Sequence, residues 1–209
     1  QGFNAKSNHY GYSQTSTGPG HTTVATGTYP RVHGIIGNSW FDRESKKSVY
    51  CVDDDQYETI GSLTKSGRKS PSKLLTTTLS DENRTATNFK GKTIGVAIKD
   101  RGSILSSGHT ANAAYWFDSK EGSFISSTYY FDELPDWAEK FNETRVVDSY
   151  LKPWETYYDI STYTESGPDD NNYETNFRGQ DRPVFPHNFK IKNKKTGKPF
   201  YGDLTSTPF

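Results

Sequence analysis

The chain has 209 residues, enough for one domain or one and a half, and its 25 Lys and Arg against 25 Asp and Glu give a formal net charge of zero. That balance argues against bulk attraction to nucleic acid or to an anionic membrane, and leaves room for a small anion held by a few local groups. Hydrophobic residues make up only 31% of the chain and the mean hydropathy is −0.89, while the 14% of aromatics partly compensates, since each buried ring removes a large apolar area from water. The single cysteine, Cys51, excludes an internal disulfide and lies beside three aspartates in SVYCVDDD, where a thiol is a poor nucleophile; it reads as a strand cysteine. No apolar run approaches the roughly 18 residues of a membrane span. The chain opens at Gln1 without any methionine, so a processed chain or an internal piece of a longer protein is expected.

In chain order, residues 2–14 (GFNAKSNHYGYSQ) read as extended. GPGHTTVATG reads as a helix, with Pro19 in its first turn and Gly27 as its C-terminal stop. YPRVHGIIGNSWFD reads as loop. KSVYCVDD and YETIGS read as short strands joined by an acidic turn. SPSKLLTTTLSDENRTAT reads as one helix, capped by Ser70 with Pro71 at its first position, and with Leu74, Leu75 and Leu79 on a shared face. KTIGVAIK has the near-continuous apolar run of a buried parallel strand. ANAAYWFD and GSFISSTYYF read as another pair of strands, and LPDWAEKFNET as a short amphipathic helix. From about residue 146 periodicity disappears and Pro, Tyr, Asn and Asp dominate. This half reads as an excursion of long loops, with Trp137, Trp154, Tyr157, Tyr158 and Tyr163 expected to anchor them. KIKNKKTGKP reads as a solvated basic loop.

The chemistry gathers at TSTGPGHTTVATG. A helix entrance with Gly and Pro around it offers free N–H groups and a positive dipole end, which suits an anion. A Thr hydroxyl there can be a nucleophile or simply an N-cap. Two further features point the same way. Asn38, on a glycine-loosened loop, is a neutral donor, and KTIGVAIK runs into KDRG. There Lys99 and Arg101 stand two apart, so an extended backbone would aim both cations to one side, at the carboxyl end of a central strand. Such a pair suits a phosphoryl dianion.

TGPGHTTVATGTYPRVHGIIGNSWFD, SPSKLLTTTL and VAIKDRGSILSSGH together resemble the alkaline phosphatase superfamily. The closer similarity is to its PafA-type branch of bacterial phosphate monoesterases, related to type I phosphodiesterases and nucleotide pyrophosphatases. The likeness runs through essentially the whole chain and is most specific in residues 15–43 and 94–118. It implies an α/β fold: a partial alkaline-phosphatase-like core, a piece of a three-layer sandwich, over residues 1–120, with a loop-rich inserted cap over 121–209. It implies that Thr17, opening the T-x-P-G-H-T motif, is the nucleophile and a metal contact. Asn38 of HGI-x-x-N, with Lys99 and Arg101 of K-D-R, would then hold the phosphoryl oxygens. It implies two zinc ions, small phosphate monoesters as substrates and a periplasmic or secreted location, with His21 and His33 structural. The same family uses an Asp before the nucleophile and Asp-x-x-x-His, Asp-His and His segments for zinc. None of His9, His21, His33, His109 and His187 stands in such a context. The expectation is therefore an internal piece that is inactive alone and does not hold both zincs. A phosphodiesterase, or a non-catalytic phosphate- or carbohydrate-binding module whose exposed rings stack on sugars, is the alternative.

Overall fold

The computed structural model describes residues 2, 4–194, 197 and 200–208. It is a mixed α/β fold that divides into two units, one of residues 1–117 and 124–135, the other of 118–123 and 136–209. The basic run 190–199 and the closing STPF fall partly outside the described residues, at 195, 196, 198, 199 and 209.

In the first unit, residues 4–14 form neither helix nor strand, where an extended segment was expected. Helix α1 covers Thr17–Thr26 and stops at Gly27, which takes a left-handed φ of 66°. The expected stop is thus met by the one residue type that adopts that conformation without steric cost. The segment read as loop holds a single helical turn, α2 (Pro30–His33), and a strand, β1 (Ser39–Asp42). Pro30 starts α2 with its preset φ and Gly34 ends it. One turn leaves too little sequence for a period to show. Strand β1 pairs antiparallel with β2 (Lys47–Tyr50), Ser39 opposite Tyr50 and Asp42 opposite Lys47.

The main sheet has the spatial order β3 (Thr59–Ile60), β6 (Ser123–Ser127), β5 (Ala113–Asp118), β4 (Ile94–Ala97). Strands β4 and β5 run parallel, and β3 runs antiparallel to β6. The parallel strand in KTIGVAIK is therefore present, but among the described residues it is an edge strand and not a buried central one. Gly95 and Ala97 turn toward helix α4 (Asp100–Ser107), while Ile94 and Val96 on the other side are 59% and 64% exposed. Helix and strand approach so closely that a Cβ on Gly95 would lie 2.1 Å from Ser107 Oγ. Only glycine permits that approach. The core collects Ile35, Cys51, Val52, Leu74, Ile104, Leu105, Ala114, Trp116 and Ile125, with Trp40, Tyr50 and Tyr130 packed against it. Trp116 is buried with its indole N–H donating to the Ser66 carbonyl at 3.1 Å, so the largest ring of the core carries no unmet donor.

The helix expected over SPSKLLTTTLSDENRTAT is half that length: α3 covers Leu79–Ala86. The start signal at Ser70 is genuine chemistry in another place. The Ser70 hydroxyl donates to the Asp54 carboxylate at 2.5 Å and accepts from the Ser72 N–H, which fixes a turn and not a cap. The helix begins instead at Thr78, whose hydroxyl accepts from the Asp81 N–H while the Asp81 carboxylate accepts from the Thr78 N–H. This is a reciprocal capping box. Leu74 is buried, but Leu75 and Leu79 are exposed, so the shared apolar face does not exist.

Asp81 does more than cap. It accepts from the Thr78 N–H and hydroxyl with one oxygen, and from the Thr110 N–H and hydroxyl with the other, at 2.7–2.9 Å. Burial pushes this carboxyl up, but the four donors outweigh burial and hold it below the usual carboxylate range. Its contribution to stability is present above the ordinary carboxylate range and is lost as pH falls through the lowered folded value. Asp81→Asn keeps the shape but turns two N–H groups on donors. It is expected to destabilise the fold by about 1–3 kcal/mol at neutral pH and to flatten the acid limb of the stability curve, as read by urea unfolding across pH.

The second unit has little regular structure: α5 (Asp136–Glu143) and three 3₁₀ segments, Val146–Tyr150, Ile160–Thr162 and Tyr201–Ser206. Polar and aromatic pinning take the place of a sheet. The Tyr201 hydroxyl donates to Asp148 at 2.8 Å and accepts from Arg145, and Arg178 pairs with buried Asp203 at 2.9 Å. Trp154 packs edge-on against Phe185 and near His187, and Trp154 and His187 exchange backbone hydrogen bonds of 2.9 Å. Of the rings expected as anchors, Trp154 behaves as one. Trp137, Tyr157, Tyr158 and Tyr163 are exposed.

Candidate active site

The threonines of the opening motif divide by what their hydroxyls do. Thr22 and Thr26 donate to the carbonyls four residues back, at 2.8 and 2.7 Å. Thr23 accepts from His33 Nε2 at 3.1 Å, and the Ile35 N–H donates to His33 Nδ1. That pair of bonds fixes the Nε2–H tautomer. Burial lowers the His33 pKa, which keeps the ring neutral. His33 is structural, as the motif led us to expect. His21 donates from Nδ1 to the Thr17 carbonyl at 3.0 Å. The Thr17 hydroxyl is different: at the first position of α1 and half-buried, it has no partner among the described residues. The N-cap is Ser16, and no side-chain cap bond is made. The capping account of this threonine therefore fails.

The free N–H groups expected at this entrance are fewer than the motif suggested. Pro19 has none. The Gly18 N–H donates to Asn38 Oδ1 at 2.7 Å. This bond orients the amide: with Oδ1 on the helix, Nδ2 is turned away as an uncommitted donor. Asn38 thus sits beside Thr17. A Cβ on residue 18 would lie 3.1 Å from Asn38 Oδ1 and 3.4 Å from Cys51 Sγ. Cys51 is fully buried, and burial followed by the Asp100 charge pushes its thiol pKa up to about 12. It is a packing residue, just beyond the end of β2, and no nucleophile.

Lys99 and Arg101 lie beyond β4, but not as two teeth of a strand. The strand ends at Ala97, Lys99 is the N-cap of α4 and Arg101 is in its first turn. The extended backbone assumed for the pair ends at Lys99 (φ −97°, ψ 129°), and Arg101 already belongs to the helix. Lys99 is exposed, and its ammonium makes no hydrogen bond or ion pair among the described residues. Arg101 is mostly buried and anchored by a group the sequence did not disclose. Its Nη1 donates to the Tyr50 hydroxyl at 2.6 Å, and that hydroxyl donates to Asp100 Oδ1 at 2.6 Å. Burial and then the Asp100 charge raise the Tyr50 pKa far above its ordinary value, so the phenol stays protonated. Asp100 Oδ2 faces Lys69 Nζ at 3.7 Å, and Lys69, also paired with Asp53, lies 4.7 Å above the Tyr50 ring. Arg101 Nε is buried without a partner.

A cleft of about 650 Å³ opens at Thr17, lined by His21, Val24, Leu79, Ser80 and Ser106 among others, and Asn38 and Arg101 are not part of its wall. In the second unit a cleft of about 850 Å³ is lined by Trp154, Tyr157, Tyr163 and Phe185, with Glu155, Asp169 and Glu174. Among the described residues no three His, Cys, Asp or Glu side chains group into a metal site. The described residues by themselves therefore do not supply the donor set of a zinc pair.

Residues 1–190 match the family described as type I phosphodiesterase / nucleotide pyrophosphatase, and the chain belongs to it. Within that family it is a PafA-like member of the alkaline phosphatase superfamily. It is 49% identical over 209 residues to alkaline phosphatase PhoV of Synechococcus elongatus. It is 44% identical over 209 residues to a Myroides odoratus protein named calcium-transporting ATPase. All of the chain is matched in each case, against 37% and 38% of the relative. A crystal structure of alkaline phosphatase PafA in which one threonine, one asparagine, one lysine and one arginine are substituted superposes with a TM-score of 0.89 at 38% identity. That match covers 96% of this chain and 39% of the other. The chain thus spans well under half the length of these relatives.

Proposed function

We propose that this chain carries the nucleophile and the phosphoryl-binding groups of a phosphate monoester hydrolase. The observation that carries the reading is the uncommitted Thr17 hydroxyl at the start of α1, with Asn38 locked beside it by the Gly18 N–H. Thr17 Oγ attacks phosphorus as its proton passes to solvent, and the ester oxygen departs with the electron pair and takes up a proton from water. The phosphothreonine formed is then hydrolysed by water, which returns the hydroxyl and releases phosphate. The α1 dipole and the Asn38 Nδ2–H₂ stabilise charge on the non-bridging oxygens, and Lys99 and Arg101 supply two cations for the third. The buried, unpartnered Nε of Arg101 supports this role, since a phosphoryl oxygen would meet that donor. The substituted PafA supports the choice of residues: its threonine and asparagine have the sequence spacing of Thr17 and Asn38, and its lysine and arginine that of Lys99 and Arg101. What the names alkaline phosphatase and ATPase share is cleavage of a phosphoryl bond.

The two zinc ions and the periplasmic or secreted location belong to the same proposal, for the protein at the length of its relatives. No helix among the described residues is long and apolar enough to cross a membrane. The phosphodiesterase reading has the family description in its favour, and the paired cations oppose it. The sugar-binding reading has the exposed rings of the second-unit cleft. A direct test is to quench the gene's full product during turnover of an aryl phosphate and to sequence the phosphopeptide. Phosphate is expected on Thr17 and not on neighbouring Thr15 or Ser16. Phosphate elsewhere, or none under burst conditions, overturns the reading.

A further inference from the structure

We propose that Tyr50 is a positioning residue for phosphoryl binding: its hydroxyl, set between Arg101 and Asp100, holds the guanidinium out of a direct hydrogen bond with the carboxylate and so keeps its remaining N–H groups available to the substrate. This rests on the monoesterase reading above. Arg101 and Asp100 are chain neighbours in the first turn of α4. Yet Arg101 Nη1 stops 3.6 Å from Asp100 Oδ1, beyond hydrogen-bond distance, because the Tyr50 hydroxyl bonds both at 2.6 Å. A direct pair would use the guanidinium fork on the carboxylate and cancel its charge. The neutral phenol instead takes one N–H and leaves the Nε and Nη2 edge without a protein partner among the described residues.

The rest of the cluster works in the same direction. The other carboxylate oxygen faces Lys69 at 3.7 Å, and Oδ1 also accepts the Arg101 backbone N–H at 2.7 Å. The hydrogen bonds to Asp100 thus come from Tyr50 and the helix start, while Lys69 and Arg101 Nη1 stand off at 3.7 and 3.6 Å. Lys69 also lies over the Tyr50 ring at 4.7 Å and Arg101 Cζ at 5.8 Å, so the ring contacts both cations. Tyr50 ends β2, and its ring packs on the buried core, which gives the hydroxyl a rigid base.

Tyr50→Phe removes only the hydroxyl and keeps the ring and both cation contacts. Arg101 is then expected to fall onto Asp100. In the gene's full product, kcat/KM for an aryl phosphate should drop by about 10- to 100-fold and the inhibition constant of inorganic phosphate should rise in parallel. Activity on an aryl methyl diester should change by less than a factor of three. Two further results separate positioning from general damage. In an Arg101→Ala background, Tyr50→Phe should have no further effect on the monoester. Adding Asp100→Asn to Tyr50→Phe should recover most of the loss, because the competing carboxylate is gone. Unchanged monoester kinetics for Tyr50→Phe, beside a wild type that is active and an Arg101→Ala that is impaired, overturns this inference and leaves the monoesterase reading intact. Additive losses in the Arg101→Ala background, or equal losses on both substrates, overturn it as well. A wild type without monoesterase activity overturns both.

Discussion

Replacing Lys99 and Arg101 together by alanine in the gene's full product is expected to lower kcat/KM for an aryl phosphate monoester by about three orders of magnitude, and to change kcat/KM for an aryl methyl diester by about tenfold or less. The reason is charge. A monoester presents three non-bridging oxygens, and its transition state spreads the added charge over all of them. A diester covers one of those positions with its second substituent. Lys99 is exposed and unpaired among the described residues, and Arg101 has an uncommitted Nε. Both cations are thus available for an oxygen that only the monoester has. The single variants should not be equal. Arg101 is fixed by Tyr50 and largely withdrawn from water, where each donor is worth more. Lys99 is solvated and pays side-chain entropy on engagement, so its loss should cost less. Equal losses on the two substrates would make the pair structural and return the family's diesterase chemistry to first place.

The motif made Thr17 and Asn38 legible because its spacing is local: helix start, stop at Gly27 and the returning loop all fall within residues 15–43. The strands in KTIGVAIK, ANAAYWFD and GSFISSTYYF were legible for the same reason, each being carried by a short local segment. What the sequence hid was set by distant partners. Ser70 and Thr78 carry the same capping chemistry, and only the contact of Ser70 with Asp54, and of Asp81 with Thr110, decides which one begins a helix. Tyr50 meets Arg101 across 51 positions and carries no motif. The Asp between the two cations of K-D-R was the one available hint that Arg101 needed something to keep it from its neighbour. The exposure of Ile94 and Val96 could not be read from their type, because apolar residues on a strand do not state which face is covered.

Thr17→Ala is the change with the largest expected effect: loss of turnover on monoester and diester alike, by about 10⁴-fold or more, since both would pass through the same covalent intermediate. Thr17→Ser should retain most of the chemistry, because the hydroxyl survives. It should lose a modest factor, because without the branching methyl the side chain samples more rotamers before it aims at phosphorus. Controls come from the same helix. Thr23→Ala removes the hydroxyl that His33 Nε2 meets, and Thr26→Ala one that donates to the Thr22 carbonyl and accepts from the Thr28 N–H. They are expected to lower the melting temperature with little change in kcat. Each control removes a hydroxyl within ten residues of Thr17 on one helix, so a general requirement for threonine in this helix would show in all three. Catalysis through Thr17 alone requires that only its removal abolish the trapped phosphoprotein while the unfolding midpoint of the variant stays near that of the wild type. A Thr17→Ala protein that is folded and still turns over the monoester at more than about a hundredth of the wild-type rate would leave its free hydroxyl at the α1 entrance without the role assigned to it.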